Sequence, residues 1–511
     1  ISKSILNTSL FVALFILLIA IVNFINLVTA KASTRAKEVG IRKAIGSRKA
    51  SLLKQFLFEN SILVFISLAI SIVLSYFLLN TVNEFLSILG MQLYFNVIDT
   101  SLIFFVSFIT IIISIIYPSI VLSSFNPIKA LTNRQLTSSK TGISLRKGLT
   151  LFQFTLVQVF VIAAIVVGLQ LQFFNNEPLG FSSEKIVVVD MPSQSKIDLF
   201  ISALKQNAAI QQVSVGSTPP MTVGDFALGT SYRLSHEERL AGRDAEMKII
   251  DPEYLSLYDI NLLAGRNFRE NKDQFDEFIV NETLIKSMNW TPEETIGQKI
   301  AINEGEATVV GVVEDFHNHS LQNDITPTIL INWNGWRINA FVKASDTEGL
   351  IYLEEVWKDL FPTSIYGFSF LEDTMKKEYL LESLIFNGFK VFSGLVIFLG
   401  CLGLLGLMSF ITLQKTKEIG IRKVMGASVG QIVQYFSKEF VILISIAFVI
   451  ASPIVFYFMN QWLDTFTYHI SLSVWMFIAG GLIVLGIGSA ISIMKSMSAA
   501  RANPVQSLKC E

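Results

Sequence analysis

Lys37-Glu38-Val39-Gly40-Ile41-Arg42-Lys43-Ala44-Ile45-Gly46 returns near the far end of the chain as Lys417-Glu418-Ile419-Gly420-Ile421-Arg422-Lys423-Val424-Met425-Gly426. Seven of the ten positions are identical. Each copy follows a long apolar run, sits among basic residues, and leads through an amphipathic stretch into another apolar run. In both, a glutamate stands four residues before an arginine, the favourable order for a helical ion pair. Ile41, Ile45, Leu52, Leu53, Phe56 and Leu57 can line one apolar side, so a short helix lying on a membrane surface and broken at Gly46 is expected.

The runs on either side settle the class. The chain has 511 residues, 51% of them hydrophobic, and a mean hydropathy of +0.54, more apolar material than a water-soluble fold of this size covers. Seven runs reach the roughly 20 residues that cross a hydrocarbon core: Ile5–Val28, Ser61–Val82, Leu102–Ser124, Leu149–Leu171, Val391–Leu413, Phe440–Asn460 and Val474–Met494. The fold class expected is an α-helical integral membrane protein of seven transmembrane helices with a mixed α/β extracytoplasmic domain of two subdomains.

Charge sets the orientation. Lys31–Lys54, Lys129–Lys147 and Lys415–Lys438 are basic and belong in the cytoplasm, whereas Asn83–Ser101 and Gln461–Ser473 contain no Lys or Arg and belong outside. Between Gln172 and Gly388 acidic residues outnumber basic ones 33 to 17, which makes this the large outer region. The two cysteines, Cys401 and Cys510, lie outside that region, so it holds no disulfide. The start at Ile1 lacks an Arg-rich leader or cleavage pattern and reads as internal.

A second echo extends the repeat. Asn126-Pro127-Ile128-Lys129-Ala130-Leu131 follows the third run, and Asn503-Pro504-Val505-Gln506-Ser507-Leu508 follows the last. Gly40 to Pro127 spans 87 residues and Gly420 to Pro504 spans 84, which is the mark of an internal duplication. The second copy is preceded by a further helix and the outer region; by analogy the first copy's leading helix and outer domain belong upstream of Ile1. Tyr117-Pro118 is expected to bend the third helix.

The outer region reads as two sets. Strands Ile186–Asp190 and Val213–Ser217 flank a helix at Lys196–Ala208, and strands Ile338–Lys343 and Tyr366–Leu371 flank a helix at Thr347–Phe361; these pair into one subdomain. Strands near Phe278–Asn281, Lys299–Ile302, Thr308–Val313 and Thr328–Ile331 form the other. The partition is residues 1–135 and 389–511 as two three-helix membrane units with loops 31–60 and 414–439, residues 136–171 as a linker and helix, and residues 172–388 as the outer domain.

Little of this can carry catalysis. None of the seven runs contains an Asp, Glu, Lys, Arg or His, which argues against a proton- or ion-coupled carrier. Gly400-Cys401-Leu402-Gly403-Leu404-Leu405-Gly406 lacks the Lys-Ser or Lys-Thr of a phosphate loop and reads as close helix packing. Glu314-Asp315-Phe316-His317-Asn318-His319 holds metal-ligating residue types, but a polar loop after a β-branched strand accounts for it better. No metal site, catalytic residue or nucleic-acid partner is expected. Attraction of the basic joints to anionic lipid, about 1 kcal/mol per basic residue, explains their charge but not a fixed order of Glu, Gly, Ile and Gly, so a protein partner is expected as well.

Lys-Glu-(Val/Ile)-Gly-Ile-Arg-Lys-x-x-Gly after a membrane helix resembles the signature of FtsX-like permeases, the membrane subunits of MacB-type ABC systems. The outer region adds matches in Asp251-Pro252-Glu253-Tyr254, Gly265-Arg266-Asn267-Phe268, Val280-Asn281-Glu282, Ile296-Gly297 and Val309 to Phe316. The resemblance implies that Lys37, Glu38, Gly40, Ile41, Arg42, Lys43 and Gly46, with Lys417, Glu418, Gly420, Ile421, Arg422, Lys423 and Gly426, couple to a dimeric cytoplasmic ATPase. ATP and Mg would be held by that partner and no cofactor by this chain. It implies a non-catalytic permease in the bacterial inner membrane that drives export at the envelope, with lipids and a periplasmic adaptor or envelope protein as further partners. The alternative is a signalling or scaffold protein that activates an envelope enzyme. Relative to the eight-helix form of the family, the first helix and first outer domain are absent, and two repeats in one chain make a homodimer unnecessary.

Overall fold

The structure, a computed structural model, describes residues 3–34, 38, 41–42, 45–87, 92, 94, 101, 104–110, 112, 140–222, 227–234, 242–269, 276–302 and 305–501. The chain forms two compact units, one of Ile1–Val166, Gly388–Met459 and Leu472–Glu511, the other of Val167–Asn387 and Asn460–Ser471. Among the described residues the first long helices are α1 (Lys3–Thr34), α2 (Lys49–Ser87) and α3 (Lys140–Asn176). Helix α3 contains no proline and ends at Asn176, two residues before Pro178, whose ring disfavours helix in the residue before it.

The outer unit is built on two sheets. In chain order its elements are β1 (Ile186–Asp190), α4 (Ile197–Leu204), β2 (Ile210–Gly216), β3 (Leu228–Leu234), β4 (Arg243–Ile249), α5 (Tyr254–Leu257), β5 (Leu262–Gly265), β6 (Glu277–Asn281), α6 (Glu282–Ser287) and α7 (Pro292–Thr295). There follow β7 (Lys299–Ile302), β8 (Gly305–Val313), β9 (Thr328–Ile331), β10 (Asn339–Ala344), α8 (Thr347–Leu360), β11 (Phe368–Phe370) and α9 (Leu371–Glu378).

The first sheet, in the order β11-β1-β10-β2, is antiparallel throughout. It joins the two strand–helix–strand sets as the sequence pattern led one to expect. One face packs α4 and α8 through Phe200, Leu204, Leu353 and Trp357, all at most 2% exposed. The other carries Phe341 against Tyr254 and Tyr258, with ring centroids 5.7 Å from each.

In the second sheet β8, β6, β9, β4, β3 and β7 pair in sequence, and β7 pairs back onto β8, so six strands close into a ring. The long β8 makes this possible: Gly305–Thr308 pairs with β7, and farther along the same strand Gly311–Val313 takes β5. Phe278, Val280, Ile300, Val309, Ile329 and Ile331 form its buried cluster. The expected strands β6 to β9 are present; β3, β4 and β5 are additional. Caps fix the short helices: Asn281 accepts from the Leu284 amide, Thr291 and Glu294 form a capping box, and Asp346 accepts from the Gly349 amide.

Helix α10 (Leu380–Val424) is a single 45-residue helix, about 68 Å long at 1.5 Å per residue. It is followed by α11 (Val429–Leu463), with Pro453 inside it, and α12 (Val474–Arg501). Among the described residues five helices are long and apolar enough to cross a membrane: Ala50–Asn83, Lys147–Asn176, Glu382–Ser409, Val429–Leu463 and Val474–Ser498. The run Ile5–Val28 lies within α1; Leu102–Ser124, Tyr117-Pro118 and both Asn-Pro exits fall largely or wholly outside the described residues. The short surface helix expected after each joint is not separate. In both copies the stretch beyond the joint glycine belongs to the long helix that carries the next apolar run, with no glycine or proline between Lys49 and Ser87 to interrupt it.

Buried amides knit the membrane unit. Asn23 on α1 and Gln153 on α3 both donate to the Leu399 carbonyl of α10, at 2.6 and 3.0 Å. Gln158 donates to the Ile444 carbonyl of α11 at 2.9 Å, and Ser393 to that of Phe160 at 3.0 Å. Such interhelical bonds replace the solvent that lipid withholds. Gly403 lets them form: a Cβ there would stand 2.2 Å from Asn23 Oδ1 and 2.6 Å from Gln153 Oε1.

Candidate coupling joints

Both joints are built alike. Arg42 lies 2.7 Å from Glu38, and Arg422 lies 2.8 Å from Glu418, each pair one helical turn apart. These pairs are exposed and individually worth only about 0.3–0.5 kcal/mol, so they orient the arginine more than they stabilise the helix. The helix then stops at a glycine in the left-handed region, Gly46 at φ +101° and Gly426 at φ +93°. After Gly426 the stop is a complete Schellman turn: the Ala427 amide donates to the Arg422 carbonyl at 2.9 Å and the Gly426 amide to that of Lys423 at 3.1 Å. After Gly46 the Ser47 amide donates to the Arg42 carbonyl at 3.0 Å.

The residue at the crest of each turn is apolar and open. Ile45 is 80% exposed and Met425 82%, with Ile41, Ile421 and Val424 also exposed. Behind the crest the arginine reaches across the turn to the next helix. Arg42 donates to Gln55 at 2.8 Å, and Gln55 donates to Glu59 at 3.1 Å; Arg422 instead lies over the Tyr435 ring. Lys415 also faces the Tyr435 and Phe436 rings, and a Ser428–Gln431 capping box starts α11 in the second copy alone.

The remaining candidates divide. Lys417 and Gly420 lie on α10, and Lys423 turns inward to donate to the Ala500 carbonyl of α12 at 2.8 Å. Lys37, Gly40 and Lys43 lie outside the described residues. Gln55 and Tyr435 were not foreseen, because residues thirteen apart meet only when the turn geometry is known. The capping box was readable as Ser-x-x-Gln.

In the outer unit the polar run Glu314–His319 disperses. Asp315 accepts from the amide and hydroxyl of Thr283 at 2.8 and 2.9 Å, His317 meets the Tyr468 ring, and His319 lies 3.1 Å from Glu246. Burial holds the His317 imidazole below its usual value, against the pull of Asp315. Among the described residues no group of three or more His, Cys, Asp or Glu is placed to hold a metal ion. The family-like outer motifs do structural work instead. Asp251 accepts from Ser214 and the Val215 amide, Arg266 makes a two-pronged bridge to Glu277 at 2.6 and 3.0 Å, and Asn267 donates to the Pro252 carbonyl.

A family model described as FtsX-like permease C-terminal matches residues 10–127 and again 390–504, and one described as MacB-like periplasmic core domain matches residues 149–355. Both membrane segments thus match the FtsX-like permease model, and the segment between them matches the MacB-like periplasmic core domain. Each permease match contains one joint. The chain is 24% identical over 323 residues to the macrolide export ATP-binding/permease protein MacB of Neisseria meningitidis, in both serogroup A strain Z2491 and serogroup B strain MC58. Those alignments cover 58% of the chain and 47% of each relative, so the chain spans about half the length of the curated relatives it matches. Among solved structures, the periplasmic region of MacB from Actinobacillus actinomycetemcomitans is similar at 17% identity and a TM-score of 0.30, covering 40% of this chain and 96% of that one. The extracellular domain of the ABC-type transporter YknZ from Gram-positive bacteria is similar at 14% identity and a TM-score of 0.26, covering 36% and 97%.

Proposed function

We propose that this chain is an FtsX-like permease, the membrane subunit of an ABC transporter of the bacterial inner membrane. A cytoplasmic ATPase dimer, holding ATP and Mg, engages the two joints, and its motion is passed to the outer domain for export or extrusion of a substrate at the cell envelope. The observation that carries this reading is the pairing of two turns with the same arginine, the same left-handed glycine and the same bare apolar crest, Ile45 at 80% and Met425 at 82% exposure. A lipid contact needs positive charge; it does not need a stereospecific turn repeated twice. Helix α10 supports the reading too, as one unbroken helix between its outer end at Leu380 and the joint at Glu418.

The absence of ionisable residues from the seven apolar runs also favours a second reading, in which the same motion activates an envelope enzyme and nothing is transported. The ATPase activity of the cognate partner, measured with the full chain in lipid nanodiscs, tests the coupling common to both. Stimulation by wild type and its loss with Glu38→Lys/Glu418→Lys, at normal insertion, supports it; equal stimulation by the variant refutes the joints as coupling elements. A stable protein partner on residues 172–388, with no transported substrate, would select the second reading.

A further inference from the structure

We infer that Gln170 is a strap fastening the outer loop between α11 and α12 to the outer domain, so that residues 464–470 are a fixed part of that domain. Both ends of its amide are used. Nε2 donates to the Tyr468 carbonyl at 3.0 Å, and Oε1 accepts from the Ile470 amide at 2.9 Å. A side-chain amide that meets a carbonyl and an N–H two residues apart holds an extended segment much as a neighbouring strand does. Gln170 is itself fully buried.

The other side of the loop is held by the outer domain's own backbone. The amides of Thr467 and Tyr468 donate to the carbonyls of Gln322 and Leu321, both at 3.3 Å. The segment that receives them is pinned in turn: the Leu321 amide donates to the Tyr379 hydroxyl at 2.9 Å, and the Gln322 side chain donates to Glu382 at 2.7 Å. Rings close the gaps, with His317 edge-on to Tyr468 at 4.8 Å and Phe466 edge-on to Phe174 at 5.5 Å. Residues Asn460–Ser471 accordingly belong to the compact outer unit. Packing of Phe466 alone would hold the loop without reading its backbone; a buried glutamine with both amide atoms committed fixes its register.

The strap needs no ATPase and is independent of the proposed function. Hydrogen exchange at single amides of the full chain in lipid nanodiscs tests it. In wild type the amides of Leu321, Thr467, Tyr468 and Ile470 exchange as one group with a shared opening. In Gln170→Leu all four exchange about tenfold faster, while Val280 and Val312 in the closed ring keep their rates. Gln170→Glu, which retains the acceptor for Ile470, accelerates the group less. Acceleration of Ile470 alone, or four unrelated rates in wild type, overturns the strap. Should Gln170→Leu not insert, the wild-type grouping decides by itself.

Discussion

The Arg422 guanidinium carbon lies 4.2 Å from the centre of the Tyr435 ring, and Arg42 donates at 2.8 Å to Gln55, the residue thirteen places beyond it in both copies. One arm of the duplicated motif therefore performs the same bridging act on two chemistries, a cation against an aromatic face and a guanidinium against an amide. Each ties the helix before the turn to the helix after it.

A double-mutant cycle on Arg422→Ala and Tyr435→Ala, followed by thermal unfolding, should give a coupling of about 0.5–1 kcal/mol, the range for a partly exposed cation–π pair. Arg422→Lys should recover the charge but not the coupling, since an ammonium cannot both stack and bridge Glu418. Zero coupling would make the contact incidental.

Gly426→Ala and Gly46→Ala should each cost about 1–2 kcal/mol, because a side chain in the left-handed region is strained even in open space. Space is open at both: a Cβ would meet nothing within 4 Å. Gly430→Ala, on α11 and free of positive φ, should instead stabilise by up to about 1 kcal/mol. A joint variant as stable as wild type in the same denaturation assay contradicts the Schellman assignment.

Gly403→Ala should loosen the membrane unit by about 1–3 kcal/mol, an overpacking cost, since its methyl would stand 2.2 Å from Asn23 Oδ1. Asn23→Ala in the same chain should restore part of that loss while costing stability alone. Detergent-resistance melting curves of the two single variants and the pair read this directly.

Acid should weaken the outer domain through Glu246. Burial raises this carboxyl, but the hydrogen bond from His319 and the charge and hydrogen bond of Lys248 outweigh it and hold it at about 2, below an ordinary value of 4.5. A depressed carboxyl contributes stability that is complete above about 4.5 and is lost as pH falls toward 2, on the order of 3 kcal/mol. Asp251, raised by burial, works in the opposite sense, so the test compares wild type with Glu246→Gln. The variant should be less stable by several kcal/mol at pH 7, about 3–5 for a buried partner left unpaired, and the difference should shrink below pH 4. An unchanged gap across that window would sink the assignment.

That same pair explains where the sequence was opaque. Arg243-Asp-Ala-Glu-Met-Lys-Ile249 alternates apolar Ala245, Met247 and Ile249 with charged residues that read as solvent-facing, yet β4 buries Glu246 and Lys248 as an ion pair at 2.7 Å. The strands before and after it in the chain give weak signals, β3 because Gly229, Thr230 and Ser231 dilute it and β5 because Leu262–Gly265 is short, and both become strands by pairing. By contrast β1, β6 and β9 are runs of β-branched and aromatic residues and declare themselves. The joints were legible because glutamate and arginine one turn apart need only helical geometry. Gln55, Tyr435 and Ala500 needed the path of the chain after the turn.

The closed ring of β3, β4 and β6 to β9 has a consequence for life outside the cytoplasm. A sheet whose first and last strands pair with each other offers few bare edges to a passing polypeptide, and it holds its shape by topology and not by thiol chemistry. With both cysteines elsewhere in the chain, the domain needs no oxidase to mature. Its folding is indifferent to whether the surroundings are aerobic or reducing.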